Sequence, residues 1–265
     1  MYAVFLHAHQ KIDKVAYRHL LSLHDKDVFF PALPQIIHFE GRNGPDAAKL
    51  KNKENVEQPW HFIDPFDEAD TSLHYLISDH YTNLVTALAA RDEIRSGFEA
   101  AWLAHALVDG LTPAHHYPYE KELEALRGDV RHSRKGLVGR AYVKGDNRRD
   151  SLRRSFQLIG PKGLLTTHAM FEGGAYSIMA PMRLKKALPT REDLIAIRQH
   201  GIVEIFHRYA REIASYDLYV RFYEQGWTPK LTRDIRRELA PRMVRIVTLS
   251  WFAALCDANL IAEPA

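Results

Sequence analysis

The chain is predicted to fold as an all-α, single-domain multi-helix bundle. Three observations point there: apolar residues recur at intervals of three and four, no convincing succession of alternating strands is found, and prolines mark the breaks between periodic runs. The first run holds Ile12, Val15, Ala16, His19 and Leu20, and further runs cover residues 73–88 and 98–111. Residues 161–183, 191–225 and 230–260 read the same way, with breaks at Pro31, Pro34, Pro45, Pro59, Pro65, Pro113, Pro118, Pro161, Pro189 and Pro229.

A chain of 265 residues with 46% hydrophobic content is large enough for one substantial core, so a single domain spanning 1–265 is expected. Its formal charge of +3 comes from 36 basic and 33 acidic residues, a balance too even to identify a nucleic-acid binder. Cys256 is the lone cysteine, so packing, with or without metal, must hold the fold in place of disulfides. The opening MYAVFLHAHQKIDK lacks the layout of a signal peptide, and no uninterrupted run of about 18 apolar residues suggests a membrane span. A soluble, cytoplasmic protein is the expectation. Residues 127–154 stand apart as a basic insertion, with ten Lys or Arg against Asp129, Asp146 and Asp150. Two readings apply to it: a solvated surface segment, or a cationic rim that concentrates anionic substrates.

Fifteen histidines decide little by number, but their positions are informative. Residues four apart share a helix face, so His105 and Asp109 in AWLAHALVDG can hold one cation between them, as can His168 and Glu172 in LLTTHAMFEGG. The same spacing joins His9 to Asp13, His116 to Glu120 and His200 to Glu204, and most of those are expected to be accidental. The first two pairs differ because they lie in apolar helical segments, where an unpaired charge costs several kcal/mol. Either a metal or a buried hydrogen bond between imidazole and carboxylate would relieve that cost. After Asp109, Gly110 and Pro113 are expected to end the helix and turn the chain so that His115 returns toward the same place.

The run HALVDGLTPAH resembles the zinc-dependent phospholipase C and fungal-type zinc single-strand nuclease family, in which a His, an Asp four residues on and a Pro-x-His close on a metal cluster. WHFIDP resembles the family segment whose histidine is a ligand, here His61. Asp46 in NGPDAA sits where the family places a carboxylate ligand that is also considered a general base. HQKIDKVA selects His9, and HAMFE gives the last pair, His168 and Glu172. These pieces occur in family order over roughly residues 9–172, a stronger signal than any one motif.

The resemblance implies a buried zinc cluster of two to three ions. Asp46, His61, His105 and Asp109 would hold one ion, and His115, His168 and Glu172 a second. Asp109 would bridge to a third, shared with His9. Family members give that third ion the amine of an amino-terminal tryptophan; no Trp precedes His9 here, which leaves the Met1 amine, His7 or no third site. The implied activity is phosphodiester hydrolysis by activated water, with Asp46 and Asp109 as the catalytic carboxylates. The implied substrate is a phospholipid headgroup, with peripheral membrane contact, or a single-stranded nucleic acid. Tyr117, Tyr119 and Phe66 are candidate base platforms in the nuclease case. A non-catalytic, metal-stabilised helical binding protein is the third reading. His116 is expected beside the ligands as a supporting donor or substrate contact, and His19, His38, His74, His80, His132, His200 and His207 as ordinary histidines.

Overall fold

In the computed structural model the described residues are 2–41, 43–45, 61–117 and 147–264, with residues 2–7 described for backbone alone. All regular structure among them is helical and no strand occurs there, as the periodicity requires. In chain order the helices are α1 (Tyr2–Leu20), α2 (Leu33–Glu40), α3 (Ser72–Ala89) and α4 (Glu93–Leu111), followed by a 3-10 turn at Pro113–His115. Then come α5 (Arg148–Ile159), α6 (Leu164–Met179) and a 3-10 turn at Lys185–Ala187. The remainder is α7 (Arg191–Ala214), α8 (Leu218–Gln225), α9 (Pro229–Asp234), a π-helical turn at Ile235–Leu239 and α10 (Ala240–Asp257).

Local chemistry sets the boundaries. Asp92 caps α4 by accepting from the Arg95 amide, and Thr190 with Asp193 forms a reciprocal capping box at the start of α7. Pro229 opens α9, where its missing N–H costs nothing. The long apolar stretch 191–225 is not one helix. Gly201 adopts φ 77° inside α7, and Asp217 takes a left-handed conformation between α7 and α8, so the chain bends twice where a continuous period suggests a straight rod.

Two helices are buried almost all round, and the rest pack about them. α4 buries nearly every residue from Ser96 to Leu111, and α10 does the same from Met243 to Cys256. α3 and α2 lie against α4, while α1 and α7 lie against α10. Trp251, fully buried on α10, donates its indole N–H to the Ala100 carbonyl on α4 at 3.1 Å. The 29-residue stretch Pro229–Asp257 is long and apolar enough to cross a membrane by length and composition, but 83% of its apolar window is packed inside the protein. Its role in the fold is that of a core helix.

α4 ends at Leu111, between Gly110 and Pro113 as expected, and Gly110 has a second role in close packing. A Cβ there would stand 2.5 Å from the Phe206 ring of α7 and 2.6 Å from Leu73 of α3, both fully buried. Neither neighbour has room to retreat in a close-packed core. Gly110→Ala is therefore predicted to destabilise the protein by about 1–3 kcal/mol, despite a gain in helix propensity of about 1 kcal/mol. Thermal denaturation checks this: each kcal/mol lowers Tm by about 2–4 °C in a chain of this size.

Candidate metal centre

The centre is assembled from five separate stretches of chain. α1 contributes His9 and α4 contributes His105 and Asp109, one turn apart on its buried face. The segment entering α3 contributes His61, the 3-10 turn His115, and α6 the pair His168 and Glu172. The turn and the entering segment are tied directly: the Ile63 amide donates to the His115 carbonyl at 3.1 Å, and the His115 Nδ1–H donates to the His61 carbonyl at 3.2 Å. Pro113 opens that turn and swings His115 back toward α4.

Asp109 sits in the middle. Its Oδ1 lies 3.2 Å from His9 Nε2, and its Oδ2 lies 2.8 Å from His61 Nδ1 and 3.1 Å from His105 Nε2, with His115 Nδ1 at 3.9 Å. Glu172 plays the same part beside it, its Oε1 standing 3.0 Å from His115 Nε2 and 2.9 Å from His168 Nε2. The rings stack as well: His9 on His105 at 4.2 Å, and His115 on both Phe62 at 4.6 Å and His168 at 5.1 Å. His9, His105 and Asp109 offer ligand atoms within 4.8 Å of one another, and so do His115, His168 and Glu172. Sequence reasoning and structure agree on bringing these seven residues together; Asp46, the eighth expected ligand, lies outside the described residues, as do Tyr119 and the side chain of His7.

Two acids that the sequence reading did not select belong to the centre. Glu40, the last residue of α2, is fully buried and its Oε1 accepts from His105 Nδ1–H at 2.9 Å while lying 3.7 Å from His9 Nδ1. Asp13, one turn beyond His9 on α1, is also buried. The pairing of His9 with Asp13, grouped among the accidental spacings, thus falls on the face of α1 that lines the centre. The usable signal was that Asp13 lies between Ile12 and the core positions Val15 and Ala16. Nothing local marks Glu40, whose partner is 65 residues away.

The electrostatics follow from burial. Burial alone pushes the His105 imidazolium down, but Asp109 and Glu40 outweigh it and hold the pKa well above the ordinary value. Burial raises the Asp109 carboxyl, yet His105 and His115 nearby leave it well below the carboxylate range, and His168 with His115 does the same for Glu172. Asp13 goes the other way, raised first by burial and then by the charge of Glu40.

A second buried histidine–carboxylate pair has an arginine for a partner. His80 Nδ1 meets Glu99 Oε2 at 2.6 Å, and Arg95 closes on the other oxygen of Glu99. Among the described residues no Lys or Arg forms an ion pair with Asp13, Glu40, Asp109 or Glu172. The residues therefore fit a divalent cation on three counts. Ligand atoms on a tetrahedral ion with bonds of about 2.0–2.1 Å stand about 3.3 Å apart, close to the spacings above. The donors are imidazoles and carboxylates, the set that zinc accepts. And the buried Glu40 Oε2 and His9 Nδ1 have no hydrogen-bond partner among the described residues.

The surrounding residues take structural roles. His116 donates its Nε2–H to the Gly110 carbonyl at 2.8 Å, and burial pushes its pKa down to about 4, so it serves as a neutral donor at the end of α4. Tyr117 packs on Tyr219, whereas Phe66 is 59% exposed with the Arg211 guanidinium 5.7 Å above its ring. No protein-family profile, curated protein or solved structure matches the chain.

Glu40→Gln keeps the shape of the side chain and removes the charge that orients His105. It is predicted to weaken zinc retention by about 10–100-fold, the usual cost of losing a partner that steadies a ligand. Competition with a chromophoric chelator measures this, and unaltered retention would reduce Glu40 to a packing residue.

Proposed function

We propose that the chain is a zinc-dependent phosphodiester hydrolase resembling phospholipase C. The observation that carries the reading is the convergence of His9, His61, His105, Asp109, His115, His168 and Glu172 into one buried cluster. The resemblance in motif order selects the same residues independently of geometry. In this reading His9, His61, His105 and Asp109 hold ions on one side, and His115, His168 and Glu172 on the other. Bound zinc would supply Lewis acidity, lowering the pKa of water toward neutrality and neutralising charge on phosphoryl oxygens.

The chain's own residues divide the remaining work by depth. His105 is sealed, with its side chain fully enclosed, whereas the side chains of His168 and Glu172 are 16% and 21% exposed. Substrate thus approaches along the α6 side. Asp109 touches imidazoles of both groups and holds them in one frame. Glu40 fixes the His105 ring from behind, and Phe62 stacked on His115 keeps the ring plane steady and shields it from water. Asp46 keeps the role of general base that the resemblance assigns.

A single-strand nuclease of the same family is the second reading. One observation favours it: Phe66, five residues after His61, offers an exposed ring under a guanidinium, the kind of surface on which a base stacks.

The test is metal analysis of the untagged protein, followed by assays on a generic phosphodiester, phosphatidylcholine vesicles and single-stranded DNA. At least two equivalents of zinc and turnover of the generic phosphodiester are expected, and Asp109→Ala is expected to lose both, with activity falling more than about 100-fold. Preference between lipid and DNA separates the two hydrolase readings. Zinc-loaded protein that cleaves none of the three substrates would overturn hydrolysis in favour of a metal-stabilised helical binding protein.

A further inference from the structure

Away from the cluster lies a groove of about 1050 Å³ formed by the segment 182–187, by Asp193, Arg208, Tyr209 and Glu212 of α7, and by the segment 236–245. None of the residues of the metal centre lines it. Eight of its fifteen lining residues are Lys or Arg, against two carboxylates, Asp193 and Glu212. The carboxylates are already committed: Glu212 pairs with Arg242 at 3.0 Å, and Asp193 caps α7 and faces Arg245 at 3.5 Å. Arg183, Lys185, Lys186, Arg208, Arg236 and Arg237 have no carboxylate partner among the described residues.

The groove is also rigidly built. Leu184 is buried with φ 51°, a left-handed conformation that a branched side chain rarely adopts, and it launches the turn that presents Lys185 and Lys186. Arg245 reaches across from α10 and donates to the Lys186 carbonyl at 3.1 Å, with its Nε 3.5 Å from Asp193 Oδ2. Like charges held together in a concave surface repel one another and focus a positive field, a cost that an anion removes.

We propose that this groove binds a small anion carrying several clustered phosphate groups. A single phosphate would leave most of the unpaired charge uncompensated, whereas a compact polyphosphate spans cations from all three segments. The volume is that of a small-molecule site. A nucleic-acid strand fits less well, because stacking platforms are wanting: the aromatic residue of the lining, Tyr209, is buried, with the Arg208 guanidinium 6.0 Å over its ring.

The probe is inorganic tripolyphosphate, titrated into the full chain by calorimetry at two salt concentrations. Saturable binding is expected, at least tenfold weaker in the double variant Lys186→Glu with Arg236→Glu, whose side chains are exposed and make no ion pair among the described residues. Arg149→Glu with Arg153→Glu changes net charge equally on exposed positions of α5 and is expected to bind within twofold of the parent. Circular dichroism and Tm of both variants establish that they fold. Equal binding by the groove variant and the parent, equal loss in both variants, or absence of saturable binding by the folded parent would each overturn the proposal. So would tighter binding of single-stranded DNA than of tripolyphosphate to the same residues. The readout is binding, so inactivity toward phosphodiesters leaves this result unaffected.

Discussion

Charge buried with no Lys or Arg partner among the described residues is the constraint around which the rest of the molecule is arranged. Asp109 and Glu40 lie deep in the protein, and each is surrounded by imidazoles. Removing a carboxylate from water costs several kcal/mol unless charge and hydrogen bonds are restored. At His80 and Glu99 an arginine completes that balance from the surface. At the centre the described partners are histidines, which balance the acids by carrying protons or by sharing a divalent cation with them. A shared cation would couple the fold to metal, because ligands brought from five stretches of chain meet only when the helices pack.

The helices are placed accordingly. α4 must be buried on all sides, since His105 and Asp109 project into the centre while Gly110 lets α3 and α7 approach on another face. α1 crosses near enough to deliver His9 and Asp13, and α2 ends where Glu40 meets His105. α6 lies nearer to solvent, so the group it completes is the accessible one. A metal centre built on this cluster would have a sealed half that holds geometry and an open half that solvent reaches.

Much of this was legible in the sequence. The helical class follows from periodicity, and His105 with Asp109 and His168 with Glu172 follow from i,i+4 spacing inside apolar helices. His61 and His115 needed the order of motifs, because a loop histidine carries no periodic signal of its own. Glu40 was not legible: nothing in its local sequence marks it, and its partner His105 lies 65 residues away. Gly110 with Pro113 marked the end of α4 correctly, but the packing role of Gly110 was not legible, because the rings and methyls that crowd its Cβ position come from α3 and α7. A second concentration of positive charge was not legible, for a related reason. Sequence attention goes to the linear run 127–154, of which residues 147–154 are described, in and just before α5; the groove draws its charge from three segments, none unusual alone.

The central claim is that these residues clasp metal ions. Diffraction data collected above and below the zinc absorption edge from crystals of the protein purified without added metal test it most directly. The account predicts anomalous peaks within about 2.0–2.2 Å of imidazole and carboxylate atoms of His105 and Asp109 and of His115, His168 and Glu172. Well-ordered density for those side chains with no anomalous peak between them, after zinc has been supplied, would contradict it.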